Sequence, residues 1–280
     1  MRIGLVDVGG GLRGIYSSGI LDYCLDKKIE FDLCIGVSAG SANIITYLAH
    51  QRGRNYRFYT EYSKRSEYMS LKNYIKTGSF INMEYIYNTL SGQRGESPFD
   101  YNEFSKGTNE FLVVATNALT GMPCYFTRDD ISLDNYAPLA ASSSIPGINN
   151  PYEVNGSLYF DGGLSDPVPI KKAFSMGCDK VILILTKPSD KQLKESPTEI
   201  LLAKYIKNKY PEASSRLMDR INTYNSSVEL ARKYEKIGRL LILSPDNIDG
   251  VSTLARRGNS LDRLYEMGYR DGEKILSWLR

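Results

Sequence analysis

Short apolar runs rich in β-branched residues alternate along the chain with longer segments in which apolar residues recur at helical spacing. The short runs predict seven strands, at residues 2–7, 32–37, 110–116, 124–127, 157–160, 180–186 and 240–243. The longer segments predict helices at 14–27, 40–51, from 167 onward, 198–236 and 260–279. Strands separated by helix-length segments are typical of βαβ units. We therefore predict an α/β fold with a mostly parallel sheet.

Residues 55–106 interrupt this alternation with a mainly helical, aromatic stretch that is broken at several glycines. The chain has 21 tyrosines against 9 phenylalanines, and many of the tyrosines lie in this part. Tyrosine joins an apolar ring to a polar tip, so the stretch could line a cleft or form a polar-faced helical cap. Since no linker-like run divides the chain, we predict one domain over 1–280, with 55–106 as a helical insertion and a candidate lid.

The charge balance is nearly even, with 35 lysines and arginines against 32 acidic residues and a net charge of +3. Such a small excess argues against nucleic-acid binding. No apolar run approaches the roughly 18 residues of a membrane helix, and the N-terminus lacks a long apolar leader. We therefore expect a cytoplasmic protein. The lysine-bearing amphipathic stretch at 198–209 fits a packed surface helix or a transient contact with a membrane surface.

Cysteine and histidine usage argues against a metal site. The cysteines are widely scattered and lie mostly inside apolar segments, which indicates buried reduced thiols: Cys24, Cys34, Cys124 and Cys178. A zinc site needs clustered ligands, but this chain has one histidine and no C-x-x-C pair. We expect no structural zinc.

The strongest local signal is GVSAG at residues 36–40, a G-x-S-x-G motif between a predicted strand and a predicted helix. In that context the serine stands on a sharp turn, and the N–H of the next residue faces a developing oxyanion. The positive end of the helix dipole lies under the same charge. The motif alone also occurs by chance. It makes Ser38 a candidate nucleophile.

A glycine cluster, GGGLRG at residues 9–14, follows the first predicted strand. It matches the dinucleotide-binding G-x-G-x-x-G, but the second strand ends in the serine motif and not in the acidic residue that would hold a ribose. Glycine N–H groups at a helix start can instead form an oxyanion hole. The alternative without a ligand is a tight turn. Arg13 would add a positive charge or support the turn.

The general base cannot be the one histidine. His50 lies 12 residues beyond Ser38 on the same predicted helix, which separates the two by about 18 Å and about 120° around the axis. We expect His50 at the end of that helix. A carboxylate or a lysine must therefore act as the general base, and Asp161 in the DGG motif at 161–163 is a candidate. From spacing alone Asp7 and Asp166 stay open, and the DGG motif could be an ordinary turn.

The three motifs, in this order, resemble the patatin-like phospholipases, and a bacterial branch of them in particular. Supporting stretches are ASSSIPG at 141–147, DPVP at 166–169 and LYEMGY at 264–269. The resemblance covers most of the chain and is weakest at about 55–106 and 190–215. The sequence departs from the family pattern at Val8, where many relatives have an acidic residue, and at Asp166, where asparagine is common. The negative charge of Asp166 could alter the pocket or shift the pKa of Asp161.

The resemblance implies a three-layer sandwich and a Ser–Asp dyad, with Ser38 as nucleophile and Asp161 as base. It implies an oxyanion hole at Gly9, Gly10, Gly11, Arg13 and Ala39, and supporting motif positions at Gly14, Gly36, Gly40, Gly162 and Gly163. The implied activity is hydrolysis of acyl esters, commonly lipids, with no metal or cofactor. A carboxylesterase on soluble esters and a non-catalytic lipid-binding module are the alternatives.

Overall fold

The computed structural model of this chain describes residues 1–248 and 250–280. Its strands are β1 (Ile3–Asp7), β2 (Leu33–Val37), β3 (Glu110–Asn117), β4 (Pro123–Thr127), β5 (Tyr152–Val154), β6 (Ser157–Asp161), β7 (Lys180–Ile184) and β8 (Leu240–Leu243). Its α-helices are α1 (Ile15–Asp26), α2 (Ala39–Leu48), α3 (Arg54–Thr60), α4 (Leu71–Thr77), α5 (Tyr101–Lys106), α6 (Ala137–Ser142), α7 (Ile170–Ser175), α8 (Pro197–Ile206), α9 (Pro211–Lys236), α10 (Ser260–Asp271) and α11 (Glu273–Leu279).

All these strands belong to a single mixed sheet. Five of them run parallel in the order β3-β2-β1-β7-β8. Strands β4 and β6 both pair antiparallel with β3, and β5 pairs antiparallel with β6. The carboxyl ends of β1 and β2 are adjacent, with Asp7 opposite Gly36. This edge of the sheet is where an open α/β fold places its ligands.

Helices cover both faces of the sheet and give the three layers that the family resemblance implies. Successive strand residues point to opposite faces, so Leu5 of β1 joins one core cluster and Val6 joins the other. The first cluster packs against α1, α2 and α10, and the second against α7 and α9. A third, smaller cluster lies between β6, α8 and α9. The predicted α/β fold with a mostly parallel sheet is thus confirmed.

Several boundaries differ from the sequence prediction. Strand β5 was not predicted, because three residues of mixed polarity give no period. The helix predicted over 198–236 is two helices, since Pro211 cannot continue α8 and instead starts α9. The helix predicted over 260–279 divides at Gly272 into α10 and α11.

The segment 55–106 is built from short helical pieces. It contains most of α3, a 3-10 turn at Tyr62–Lys64, α4, a π-helix at Tyr85–Leu90 and α5. None of the helices formed by residues 1–248 and 250–280 is long and apolar enough to cross a membrane. The four cysteines are free thiols, and Cys124 is the one that is only half-buried.

Candidate active site

Ser38 occupies a strained turn between β2 and α2. Its backbone has φ 56° and ψ −132°, a left-handed conformation that is costly for any residue with a side chain. Two hydrogen bonds hold the turn: the Ser38 N–H donates to Ser142 Oγ at 2.8 Å, and the Ser41 hydroxyl donates to the Ser38 carbonyl at 2.6 Å. This is the geometry of a nucleophile elbow, which presents the serine hydroxyl at the edge of the sheet.

The two glycines of the elbow motif are needed for close packing. A Cβ at Gly36 would lie 2.3 Å from Ser41 Cα, and a Cβ at Gly40 would lie 2.3 Å from the Asp7 carbonyl oxygen. Real Cβ atoms do not approach backbone atoms this closely, so any larger residue would push α2 away from β1 and β2. The motif spacing therefore follows from the packing of the turn.

Asp161 ends β6 and faces the elbow. The residue is only 6% exposed, and its carboxylate accepts a hydrogen bond from the Gly163 N–H at 2.8 Å. Burial raises its pKa above the ordinary aspartate value. A hydrogen bond with the Ser38 side chain, the Gly163 bond and the charge of Arg220 oppose that rise. The carboxylate is thus buried, its charge is partly stabilised by these groups, and it shares the wall of one cavity with Ser38.

The glycine cluster forms a loop that only glycine can adopt. Gly9, Gly10 and Gly11 have φ of 65°, 130° and 59°, so L-residues with side chains would be strained at each position. The N–H groups of Gly10 and Gly11 stand at the start of a 3-10 helix (Gly11–Gly14), where no helical acceptor exists. They are available to a ligand, as is the N–H of Ala39 at the start of α2.

The loop differs from the prediction at Gly9. Its N–H donates to Asp7 Oδ1 at 2.9 Å, and its carbonyl accepts from the Thr186 hydroxyl. Gly9 is therefore a positioning residue and does not donate to an oxyanion. The sequence could not separate Gly9 from its two neighbours, because the difference depends on a bond between its own backbone and the end of β1.

The two rival carboxylates have other partners. Asp7 is fully buried and accepts bonds from the Gly9 N–H, the Ser17 hydroxyl and the Asn43 amide. Burial raises the pKa of Asp7 to about 6. Asp166 accepts a 2.7 Å bond from the Tyr125 hydroxyl. A shift of the pKa of Asp161 by Asp166 was one possible effect of this departure from the family, but that pKa is shifted by burial, Ser38, Gly163 and Arg220, and Asp166 is not among the causes.

His50 lies away from the elbow, just after the end of α2. Its backbone has φ 54°, and its side chain is 60% exposed, with Nδ1 at 3.3 Å from Glu103 Oε1. It cannot act on Ser38.

An apolar cavity of about 110 Å³ opens on one side of Ser38. A large part of its wall, though less than half, comes from aromatic and aliphatic side chains of the segment 55–106, among them Phe58, Tyr59, Met83 and Ile86. We call it the apolar cavity.

A second cavity, of about 240 Å³, opens on the other side and shares Ser38, Gly11 and Thr253 with the first. Three cationic residues line it: Arg13, Lys187 and Arg220. We call it the cationic cavity. Lys187 and Arg220 are not predicted as site residues from the sequence. A signal existed for Lys187, because it follows β7, whose carboxyl end lies beside that of β1. None existed for Arg220, which comes from the middle of α9.

Fold and site together define an α/β protein with a candidate serine nucleophile on a strand-to-helix turn. The patatin-like phospholipase family model matches residues 6–174, more than half of the chain, and the chain belongs to that family. Residues 210–280 match a domain of unknown function, DUF6363.

Among curated relatives, the uncharacterized protein YjjU of Escherichia coli is 28% identical over 202 residues, 67% of this chain and 53% of that protein. An uncharacterized NTE family protein of Mycobacterium tuberculosis is 23% identical over 78% of this chain and 58% of its own length. The chain thus spans about half the length of these relatives. The lysophospholipase nte1 of Aspergillus fumigatus is 23% identical over 99% of this chain and 18% of its own length.

Among solved structures, VipD from Legionella pneumophila aligns with a TM-score of 0.46 and 13% identity, covering 99% of this chain and 67% of that one.

Proposed function

We propose that this chain hydrolyses carboxylic esters of lipids through a Ser–Asp dyad, with Ser38 as nucleophile and Asp161 as general base. The observation that carries the proposal is the placement of the Ser38 side chain and the buried carboxylate of Asp161 in the wall of one cavity, where interaction with Ser38 lowers the pKa of Asp161 against the effect of burial. It joins a serine on a strained turn to a base, at the point where the two cavities meet.

In the proposed reaction the Ser38 Oγ attacks the ester carbonyl while Asp161 takes its proton. An ordinary aspartate is a weak base for a serine hydroxyl. Burial raises the pKa of Asp161 and improves the match. Protonated Asp161 then returns the proton to the leaving alcohol, and water attacks the acyl-enzyme with Asp161 again as base.

The oxyanion is held in this proposal by the N–H groups of Gly10, Gly11 and Ala39. All three are donors without a helical acceptor. Removing one such donor from a known hydrolase costs about 100- to 1000-fold in rate. Arg13 is buried beside Gly10, with its Nη2 at 3.3 Å from the position of a Gly10 Cβ, and adds a positive charge near the loop.

The acyl group occupies the apolar cavity, and the insertion at 55–106 serves as its wall and lid. The cavity of about 110 Å³ is smaller than an engineered cavity of about 150 Å³ that holds one benzene. A long acyl chain therefore requires this wall to move outward. The name of the fungal relative, lysophospholipase, supports a lipid ester as substrate.

The small volume of the apolar cavity also favours a second candidate function, a carboxylesterase that acts on short soluble esters. The two candidates share the dyad and differ in acyl length.

The test is hydrolysis of p-nitrophenyl esters with acyl chains from short to long, by the wild-type protein and by Ser38→Ala. We expect turnover that is lost in Ser38→Ala, with an optimum at long chains for the lipid hydrolase and at short chains for the carboxylesterase. Ser175→Ala is the matched control, because Ser175 is an exposed serine on α7. A folded wild-type protein with no turnover at any length would support the non-catalytic lipid-binding module.

A further inference from the structure

Both ends of the glycine loop are held by one pair of buried polar side chains. The loop begins at Gly9, whose N–H donates to Asp7 Oδ1 at 2.9 Å. It ends at Gly14, whose carbonyl accepts a 2.9 Å bond from Asn43 Nδ2. The same Asn43 Nδ2 donates to Asp7 Oδ2 at 3.2 Å. Asp7 and Asn43 therefore bridge the two ends, and the glycines whose N–H groups are available to a ligand lie between them.

A tyrosine of the insertion bonds to the same asparagine. Tyr59 lies on α3 and lines the apolar cavity. Its hydroxyl donates to Asn43 Oδ1 at 2.9 Å. The amide nitrogen of Asn43 faces two acceptors, the Asp7 carboxylate and the Gly14 carbonyl, so its oxygen must be the atom that faces the hydroxyl. Tyr59 thus fixes the side chain that bridges the glycine loop.

Gly14 leaves the space in which this contact forms. A Cβ at Gly14 would lie 2.5 Å from the Tyr59 hydroxyl oxygen and 3.3 Å from Asn43 Nδ2. Tyr59 is 8% exposed, and burial together with the charge of Asp7 raises the pKa of Tyr59 well above its ordinary value. The hydroxyl therefore keeps its proton and stays a donor. The insertion and the glycine loop meet at Gly14.

Helix α3 has further bonds to α2 beside this contact. Asn55 Nδ2 donates to the Asn43 carbonyl at 3.1 Å, and Arg54 Nη1 donates to Thr46 Oγ1 at 3.3 Å. By contrast, none of the seven residues of α4 is buried, although α4 belongs to the same insertion. Elements with few buried contacts open most easily. Helix α3 is therefore the anchored side of the apolar cavity, and outward movement of the wall falls on the rest of the insertion.

We propose that Asn43 and Tyr59 are positioning residues, which together with Asp7 clamp the glycine loop to the insertion. The proposal rests on the proposed ester hydrolysis. Oxyanion donors are effective when they are already aligned as the charge forms, because no reorganisation is then needed. The clamp keeps the loop in that state while α3 is in place. An acyl group that displaces α3 breaks the Tyr59 bond, so a misfit lowers kcat and not binding alone.

The first test compares kcat and KM of the wild type with those of Tyr59→Phe and Asn43→Ala on a short-chain ester. Tyr59→Phe keeps the ring and removes one hydrogen bond, so kcat should fall by about tenfold with KM unchanged. Asn43→Ala removes the bridge and should cost about 100-fold in kcat, the lower value for losing an oxyanion donor. The double variant should be no slower than Asn43→Ala, because the two residues act as one unit.

The matched control is Tyr56→Phe. Tyr56 lies on the same helix, and its hydroxyl also donates one hydrogen bond, at 2.6 Å to Asp262 Oδ1 on α10. That bond leads away from the glycine loop, so Tyr56→Phe should keep the wild-type kcat. Melting temperatures verify that each variant is folded.

The second test measures the glycine loop without turnover, by hydrogen–deuterium exchange of residues 9–14. Exchange should be about tenfold faster in Tyr59→Phe and unchanged in Tyr56→Phe. Wild-type exchange or wild-type kcat in Tyr59→Phe, or a loss confined to KM, would overturn the clamp. Equal effects in both variants would also overturn it, since they would reflect general loosening of α3. Faster exchange in Tyr59→Phe alone, in a protein that hydrolyses no ester, would sustain the clamp and overturn the hydrolase.

Discussion

A buried arginine lies in the wall of each cavity beside Ser38, and the two arginines have different surroundings. In the apolar cavity, Arg54 Nη2 donates to Ser91 Oγ at 2.8 Å and to the Ser97 carbonyl at 3.0 Å, and its guanidinium lies 4.5 Å from the centre of the Phe58 ring. In the cationic cavity, Arg13 faces two further cations. Burial lowers the pKa of both arginines to about 10, but the Arg54 guanidinium is held by hydrogen bonds to the fold, whereas Arg13 lies beside like charges.

The two cavities also differ in the elements that form their walls. The apolar cavity takes part of its wall from the insertion, while the cationic cavity takes part of its wall from the ends of β1 and β7 and from α9. The proposed function places the ester bond at Ser38 and the acyl chain in the apolar cavity. The following substitutions affect both cavities, the glycine loop and its support, or one cavity alone.

The largest effect is expected from Asp161→Asn, which removes the base that serves both sides. Turnover should fall by about 1000-fold, the middle of the range for general-base catalysis, with every ester reduced alike. The fold should persist, because the amide oxygen can still accept from the Gly163 N–H. Kinetics on a phosphate ester and a neutral ester measure this.

Asp166→Asn is the matched control for that substitution. Asp166 lies five residues further on and is bonded to Tyr125, and its variant should retain activity. If Asp161→Asn kept activity within tenfold of the wild type, the base would be another group.

Asp7 is the buried carboxylate that supports the glycine loop through its hydrogen bond from the Gly9 N–H. Its pKa of about 6 in the folded protein exceeds the unfolded value of 3.8, so the folded state binds this proton more tightly. The free energy of unfolding should therefore fall as the pH rises from about 4 to about 6, by about 3 kcal/mol at most. Urea unfolding of the wild type and Asp7→Asn at pH 4 and pH 7 measures it, since the other groups cancel in the difference. A difference independent of pH would contradict the raised pKa.

Gly10→Ala alters the loop between the two cavities. Its Cβ would lie 2.5 Å from Thr186 Oγ1, at a φ of 130° that alanine does not favour. The loop must shift its N–H donors, and turnover should fall by about 100-fold. Gly177→Ala is the control, because Gly177 also has a positive φ but open space around its Cβ position. An equal loss in both variants would mean that general strain, not the loop donors, is responsible.

Ala42→Leu is expected to affect the apolar cavity alone. Ala42 lines the apolar cavity, and a larger side chain there would occupy part of its volume of about 110 Å³. We expect longer acyl chains to lose about tenfold in kcat/KM, the lower end of the range for one methylene group in a pocket, while the shortest esters are less affected. A uniform loss at all chain lengths would mean that the acyl chain lies elsewhere.

Much of the fold could be predicted from local patterns. Strands β1, β2 and β7 are largely apolar runs buried on both faces; β1 ends at the polar Asp7, and β2 ends at the serine turn. The elements that were missed or merged depend on weaker signals. Strand β5 has three residues, and the break between α8 and α9 depends on one proline.

The site was predictable where one short motif holds the geometry. The elbow at Ser38 is set by its two glycines, but the choice of Asp161 over Asp7 and Asp166 needed the family resemblance. Gly9 could not be distinguished from Gly10 without the bond to Asp7. Lys187 and Arg220 were missed because they reach the cavity only after distant parts of the chain have packed.

The most direct test of the account is covalent labelling by a fluorophosphonate, which reacts with an activated serine hydroxyl. Peptide mass spectrometry of the labelled wild-type protein should find the adduct on Ser38, with no adduct in Ser38→Ala and a much slower reaction in Asp161→Asn. No labelling of the folded wild-type protein, or labelling at another serine with Ser38 unmodified, would contradict the dyad.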